Sequence, residues 1–287
     1  NRAARRRCDA FCAARSRHGA GGKTGRMRRL KRMFGAVFLL YLGYGVVMTV
    51  VHPSMIYPFA GEPFERSGYA HVVLETPDGD LSLQVHEGAD DAPVVLMFMG
   101  NSGTWAWHTA LLEPHEALDQ TIIAVEYPGG GGVPGSPSEG RLKREALVAA
   151  DYALALGKPV IVHGYSLGTG LAVHVAAQRE VAGVILDAPY ARLCDIMTTA
   201  SALPACYMPF VHKWRSFDEA LLVDEPVLIR HGTRDQVVPF AQGKRLAPAF
   251  GDHVTFVAIE GKGHGTMHES PTYGEAGLSF MTRILAN

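Results

Sequence analysis

The sequence predicts a doubly wound α/β domain with a mostly parallel sheet, preceded by one helix able to cross a membrane. Three observations carry this. From residue 94 onward, short Val/Ile/Leu runs alternate with helical stretches, as strands covered on both faces require. Residues 33–51 form an uncharged apolar run. A Gly-x-Ser-x-Gly turn sits where one strand pattern gives way to a helical one.

The N-terminus comes first. Of the 27 Lys+Arg in the 287 residues, 12 fall within residues 1–32 beside one acid, Asp9. That leaves 15 basic against 27 acidic residues in the remainder, so the body has no basic face for nucleic acid. Residues 1–32 read as a basic disordered tail. Met27 opens a stretch typical of the start of a membrane-targeted protein, so residues 1–26 are expected to lie upstream of the natural start. The apolar run 33–51 nearly matches the roughly 20 residues that cross a ~30 Å hydrocarbon core. Arg28, Arg29, Lys31 and Arg32 flank it. The positive-inside tendency keeps that flank cytoplasmic and sends the body across. The rival is secretion after signal cleavage, but the run ends Thr49-Val50-Val51-His52-Pro53 without an A-x-A site.

Residues 52–68, with Pro53, Pro58 and Pro63, read as a linker, and 69–287 as the globular domain. Runs 71–75 and 81–86 flank Thr76-Pro77-Asp78-Gly79-Asp80, a hairpin signal because Asp-Gly accommodates positive φ. Further strands are expected at 94–99, 121–126, 159–163, 181–186, 227–230 and 254–259. Helices are expected at 141–156, 167–179, 243–250 and 273–286. Gly129–Gly132 follows a strand, but it lacks the glycine spacing and the Lys-Ser/Thr pair of phosphate-binding loops. It reads as a plain loop.

The chemistry concentrates at Gly164-Tyr165-Ser166-Leu167-Gly168. A nucleophile on a sharp strand-to-helix turn needs neighbours without Cβ atoms, and Gly164 and Gly168 provide them. A serine also needs a base. Downstream, Asp235 lies in the loop after strand 227–230, and His264 lies in a Gly-rich loop after strand 254–259. Both fall at the edge where strand C-termini converge. Ser166 is therefore the expected nucleophile, His264 the general base and acid, and Asp235 the residue orienting the imidazole. Asp187 is the rival acid and His268 the rival base. His163 and His231 read as hydrogen-bonded structural histidines. His108, His115 and His174 lack the clustering of a metal site, and no metal or organic cofactor is implied. For developing oxyanion charge, the Leu167 N–H at the helix start is one donor. The Asn101 N–H, in Gly100-Asn101-Ser102-Gly103, is the other, with Ser102 its rival.

These residues resemble the alpha/beta-hydrolase superfamily. More narrowly, the chain is similar to a membrane-anchored, short-lid branch of acyl hydrolases related to protein depalmitoylases. The resemblance runs from about Met55 onward. It rests on Ile56-Tyr57-Pro58-Phe59, Thr76-Pro77-Asp78-Gly79, Gly100-Asn101, Ser136-Pro137-Ser138-Glu139, the Ser166 turn, Gly232-Thr233-Arg234-Asp235 with Val238-Pro239, and Gly263-His264-Gly265. Two departures bear on substrate class more than on catalysis: Met99-Gly100 stands in place of His-Gly, and Pro128 with four glycines replaces a Tyr- or Arg-bearing turn. The resemblance implies an alpha/beta-hydrolase fold with helices on both sheet faces and a short lid at about 190–223. It implies cleavage of carboxylic esters or thioesters, with a small or lipid-like acyl substrate as partner. The alternatives are a peptidase or amidase with the same triad, or a non-catalytic membrane-anchored binding protein. Met and aromatic residues in the lid, Tyr190, Met197, Leu203, Tyr207, Met208, Phe210 and Trp214 among them, either line an acyl pocket or pack the lid down. If the body is translocated, Cys194 and Cys206 can pair.

Overall fold

The computed structural model describes residues 20–286. The expected tail at 1–19, and the first part of the stretch read as upstream of Met27, lie outside them. Two compact units divide at Val51/His52. The first is helical. Helix α1 (Ala20–Ile56) begins well before the expected Met33 and ends past the division. Residues 20–32 are thus helical where a tail was expected. Arg, Lys, Met and Leu are good helix formers, and extending an existing helix adds one hydrogen bond per residue fixed. Residues 26–56 are long and apolar enough to cross a membrane, and Phe34, Phe38, Leu39 and Leu40 point outward.

The second unit holds one eight-stranded sheet in the order β1-β2-β4-β3-β5-β6-β7-β8. Its strands are β1 (Tyr69–Leu74), β2 (Leu81–His86), β3 (Val94–Phe98), β4 (Thr121–Val125), β5 (Val160–Tyr165), β6 (Gly183–Asp187), β7 (Val227–Gly232) and β8 (Val254–Ile259). The hairpin forms as its turn predicts, with Leu74 opposite Leu81 and Gly79 at φ +110°. β2 then runs antiparallel to β4, and β4 through β8 are all parallel. Strands β3 to β6 are buried at every residue, the pattern of a sheet covered on both faces.

The helices of this unit are α2 (Thr109–Glu116), α3 (Glu139–Leu154), α4 (Gly168–Ala176), α5 (Leu193–Ser201), α6 (Ser216–Ala220), α7 (Phe240–Leu246) and α8 (Pro271–Leu285). The side chain of Ser138 caps α3 by accepting from the Arg141 N–H. The stretch 52–68, expected as a linker, is packed instead: His52, Ile56, Tyr57 and Phe64 are buried. Its apolar side chains gain more by covering the body than by hydration.

The stretch expected as a lid is packed against the body. Cys194 and Cys206 form a disulfide. Tyr190, Leu203 and Trp214 are buried. The Tyr190 hydroxyl donates to the Leu167 carbonyl, and the Trp214 indole N–H donates to the Tyr57 hydroxyl.

Candidate active site

β5 ends at Tyr165 and α4 begins at Gly168, so the chain must reverse within two residues. Ser166 takes the bend at φ +50°. A left-handed conformation costs a non-glycine residue about 1–3 kcal/mol and is kept where the surroundings enforce it. The enforcement is visible. A Cβ on Gly164 would lie 2.5 Å from the Gly168 carbonyl oxygen, and one on Gly168 would lie 2.2 Å from that of Phe98. Both meet backbone, which cannot swing aside.

Three strand ends bring the expected residues together. His264 Nε2 lies 3.0 Å from Ser166 Oγ, and His264 Nδ1 lies 2.7 Å from Asp235 Oδ2. With Nδ1 donating to the carboxylate, Nε2 is left as the acceptor facing the serine hydroxyl. Asp235 Oδ1 accepts the Val237 and Val238 backbone N–H groups at 2.8 and 2.9 Å. Burial pushes the Asp235 carboxyl up, but hydrogen bonds from His231, His264 and the Val238 backbone outweigh it and hold it well below the usual carboxylate range. It is therefore an anion.

The rivals are placed elsewhere. Asp187 is fully buried and grips Arg230 with both oxygens, at 2.7 and 2.8 Å. It also accepts from His163 and the Tyr273 hydroxyl, each at 2.7 Å. His163 continues to His115 at 3.0 Å, and His115 to Gln120 at 2.7 Å. His231 Nε2 donates to the Val238 carbonyl at 2.9 Å and stands 3.5 Å from Asp235. His174 faces Glu219. His268 lies in a short 3₁₀ turn and lines a cavity of about 130 Å³ beside His264.

The loop after β3 abuts the nucleophile: a Cβ on Gly100 would sit 3.5 Å from the Ser166 Cβ. Asn101 follows Gly100 in that loop, and Leu167 follows Ser166 at the N-terminus of α4. Among the described residues, no backbone carbonyl takes either N–H. The Ser102 side chain is engaged with His108 Nε2 at 2.8 Å, and its carbonyl accepts from Ala60.

Two residues at the site carry no sequence signal. The Tyr165 ring lies 5.2 Å from the His264 ring, and its hydroxyl donates to the His264 carbonyl at 3.1 Å. The His108 ring lies 5.2 Å from the Tyr165 ring. Burial, with a smaller contribution from His264, lowers His108 to about 4, so it is neutral at pH 7. Tyr165 is the variable position of the Gly-x-Ser-x-Gly motif, and His108 reaches the site only through the sheet order.

No protein-family model matches the chain. It is 29% identical over 205 residues to an uncharacterised protein of Mycobacterium tuberculosis, covering 67% of this chain and 71% of that protein. It is 32% identical over 175 residues to alpha/beta hydrolase domain-containing protein 17B of Xenopus tropicalis, covering 59% of each. The match therefore spans less than two thirds of that relative. The fold is similar to Est1E from Butyrivibrio proteoclasticus, with a TM-score of 0.62, 18% identity, and coverage of 77% of this chain and 100% of that one. The architecture is thus that of the alpha/beta hydrolases. The chain is similar in sequence to alpha/beta hydrolase domain-containing proteins and shares the alpha/beta-hydrolase fold.

Proposed function

We propose that the protein is a serine hydrolase that cleaves carboxylic esters or thioesters through an acyl-enzyme. The observation that carries this reading is the position of His264, within hydrogen-bond reach of both Ser166 Oγ and Asp235. Ser166 Oγ attacks the acyl carbonyl while His264 Nε2 takes its proton. The Leu167 and Asn101 N–H groups hold the resulting oxyanion. Asp235, ionised, stabilises the imidazolium. His264 then protonates the departing alcohol or thiol, leaving the acyl group on Ser166. A water, deprotonated by His264, releases the acid and restores the serine.

In this reading α1 is an uncleaved membrane anchor with the N-terminus cytoplasmic and the catalytic body on the far side. The basic flank at Arg28, Arg29, Lys31 and Arg32 supports that orientation. The lid disulfide supports an oxidising compartment for the body.

The test is activity-based labelling with a fluorophosphonate, followed by a panel of esters and thioesters of graded chain length. Wild type should label. Ser166→Ala should fold, stay unlabelled and lose about 10⁴-fold or more of the hydrolysis rate. A folded wild type that neither labels nor hydrolyses any panel member would refute the reading.

A further inference from the structure

Most of the lid is packed, but two of its largest side chains are not. Tyr207 and Phe210 are each 89% exposed. The segment carrying them is held from beneath. Cys194, Ala205 and Val211 form a small core with Met197, Cys206 and Met208 packed against it, and the Cys194–Cys206 bond crosses it. Phe210 has φ +62°, an uncommon conformation for a bulky residue. Phe210 thus combines an uncommon backbone conformation with a ring left almost wholly in water.

Two residues further on, the same segment is locked to the beginning of the body. The His212 N–H donates to His52 Nε2 at 3.1 Å, and His212 Nδ1 lies 3.0 Å from the Tyr57 hydroxyl. His52 is buried. It follows Val51, the last residue of the apolar run, by one peptide bond. If that run spans a bilayer, the body emerges at the membrane surface with its first residue already bonded to the lid. Successive residues advance at most about 3.6 Å. Phe210 is then no more than about 7 Å of chain from His212, comparable to the few ångströms of headgroup region on each side of the hydrocarbon core. Tyrosine, with an apolar body and a polar tip, is enriched at that depth, and phenylalanine serves on the buried face of helices that lie in the interface.

We propose that Tyr207 and Phe210 form a docking surface for the headgroup region of the bilayer that holds α1. The partner is a lipid surface, so the lid packed on α4 rests on the membrane and the site draws acyl substrate from it. The proposal rests on reading α1 as a membrane span, and its chemical consequence rests on the hydrolase reading.

The test uses the full chain reconstituted in phosphatidylcholine–phosphatidylglycerol vesicles containing lipids brominated near the headgroup, which quench tryptophan by contact. Phe210→Trp and, separately, Tyr207→Trp are made in a Trp107→Phe background, because Trp107 is 61% exposed whereas Trp105 and Trp214 are buried. Leu156→Trp, in the turn before β5 and so at the opposite sheet edge, is the reference. The expected result is at least about twofold greater quenching at 210 and 207 than at 156. Chains that float with the vesicles but show no excess quenching at either position overturn the docking surface and leave the anchor standing. In that outcome, concentration-dependent cross-linking through the lid would identify a second copy as the occupant. Chains that do not float overturn the anchor and the docking surface together. Excess quenching in a chain that never labels with fluorophosphonate leaves docking intact and removes the hydrolase reading.

Discussion

The Ser166 backbone N–H donates to the Asp187 carbonyl oxygen at 2.8 Å, so the strained turn hangs on the end of the neighbouring strand. The Asp187 carboxylate is in turn clamped by Arg230 from β7. Burial pushes the Asp187 carboxyl up, but the Arg230 guanidinium and the His163 ring hold it far below the usual carboxylate range. The pair braces the turn from beneath, while His264 rather than Asp187 faces the Ser166 hydroxyl.

That brace makes a stability prediction. Arg230→Met leaves the Asp187 charge buried and uncompensated, and breaking one side of a buried pair costs about 3–5 kcal/mol. The urea midpoint should fall accordingly. Because Ser166 is tied to Asp187, fluorophosphonate labelling of the folded fraction should slow as well. A change below about 1 kcal/mol would show that water enters and solvates Asp187.

The histidines behind the brace predict a pH dependence. Burial, then the neighbouring His163, lowers His115 to about 3. His163 is lowered by burial against the opposing pull of Asp187. In the unfolded chain both titrate near ~6.5. Between pH 6.5 and about 3 the unfolded state therefore binds more protons, and unfolding free energy rises with pH. Stability is fully present above about pH 6.5 and is lost as pH falls, by up to about 1.4 kcal/mol per pH unit for each such proton. Denaturation curves at pH 7, 6, 5 and 4 should give this slope. His115→Gln should flatten it, and an unchanged slope would assign the effect to other groups.

Asp235 predicts a separation between chemistry and folding. Asp235→Asn keeps the side-chain shape but favours the wrong His264 tautomer, with the proton turned toward Ser166. Hydrolysis should drop about 10⁴-fold. The melting temperature should move far less than in Arg230→Met, since Asp235 lies in a loop. Asp187→Asn should do the reverse, lowering stability first. If Asp187→Asn abolished turnover at full stability and Asp235→Asn did not, the two acids would exchange roles.

What the sequence made legible follows from range. The Ser166 turn is local: its glycines, its incoming strand and its outgoing helix all lie within residues 160–176. Asp235 and His264 each follow a buried strand, so a parallel sheet places them at one edge. The group formed by His108, Tyr165 and His264 depends on β3 and β5 being neighbours, which no periodicity states. Helix α2 was not expected because it is short and contains Pro114. Arg230 did leave a trace. A charge directly after the apolar run Val227-Leu228-Ile229, still within the strand, demands a buried partner, although only the sheet order names Asp187. The exposure of Tyr207 and Phe210 was illegible, since irregularly spaced aromatics fit a packed lid equally well.

The lid disulfide gives the last prediction. Cys194 and Cys206 are 12 residues apart. Closing so short a loop restricts the unfolded chain by about 3 kcal/mol in the chain-entropy account. For a domain of this size that corresponds to a melting shift on the order of 5–10 °C. The Cys194→Ala/Cys206→Ala variant should therefore melt lower than wild type under oxidising conditions, and the two should converge in reductant. Thiol counting on native protein supplies the direct check, because reagent-accessible Cys194 and Cys206 after denaturation without reductant would mean the bond is not made where the protein resides. The body would then sit in a reducing compartment, and the orientation argued from the basic flank of α1 would have to be reversed.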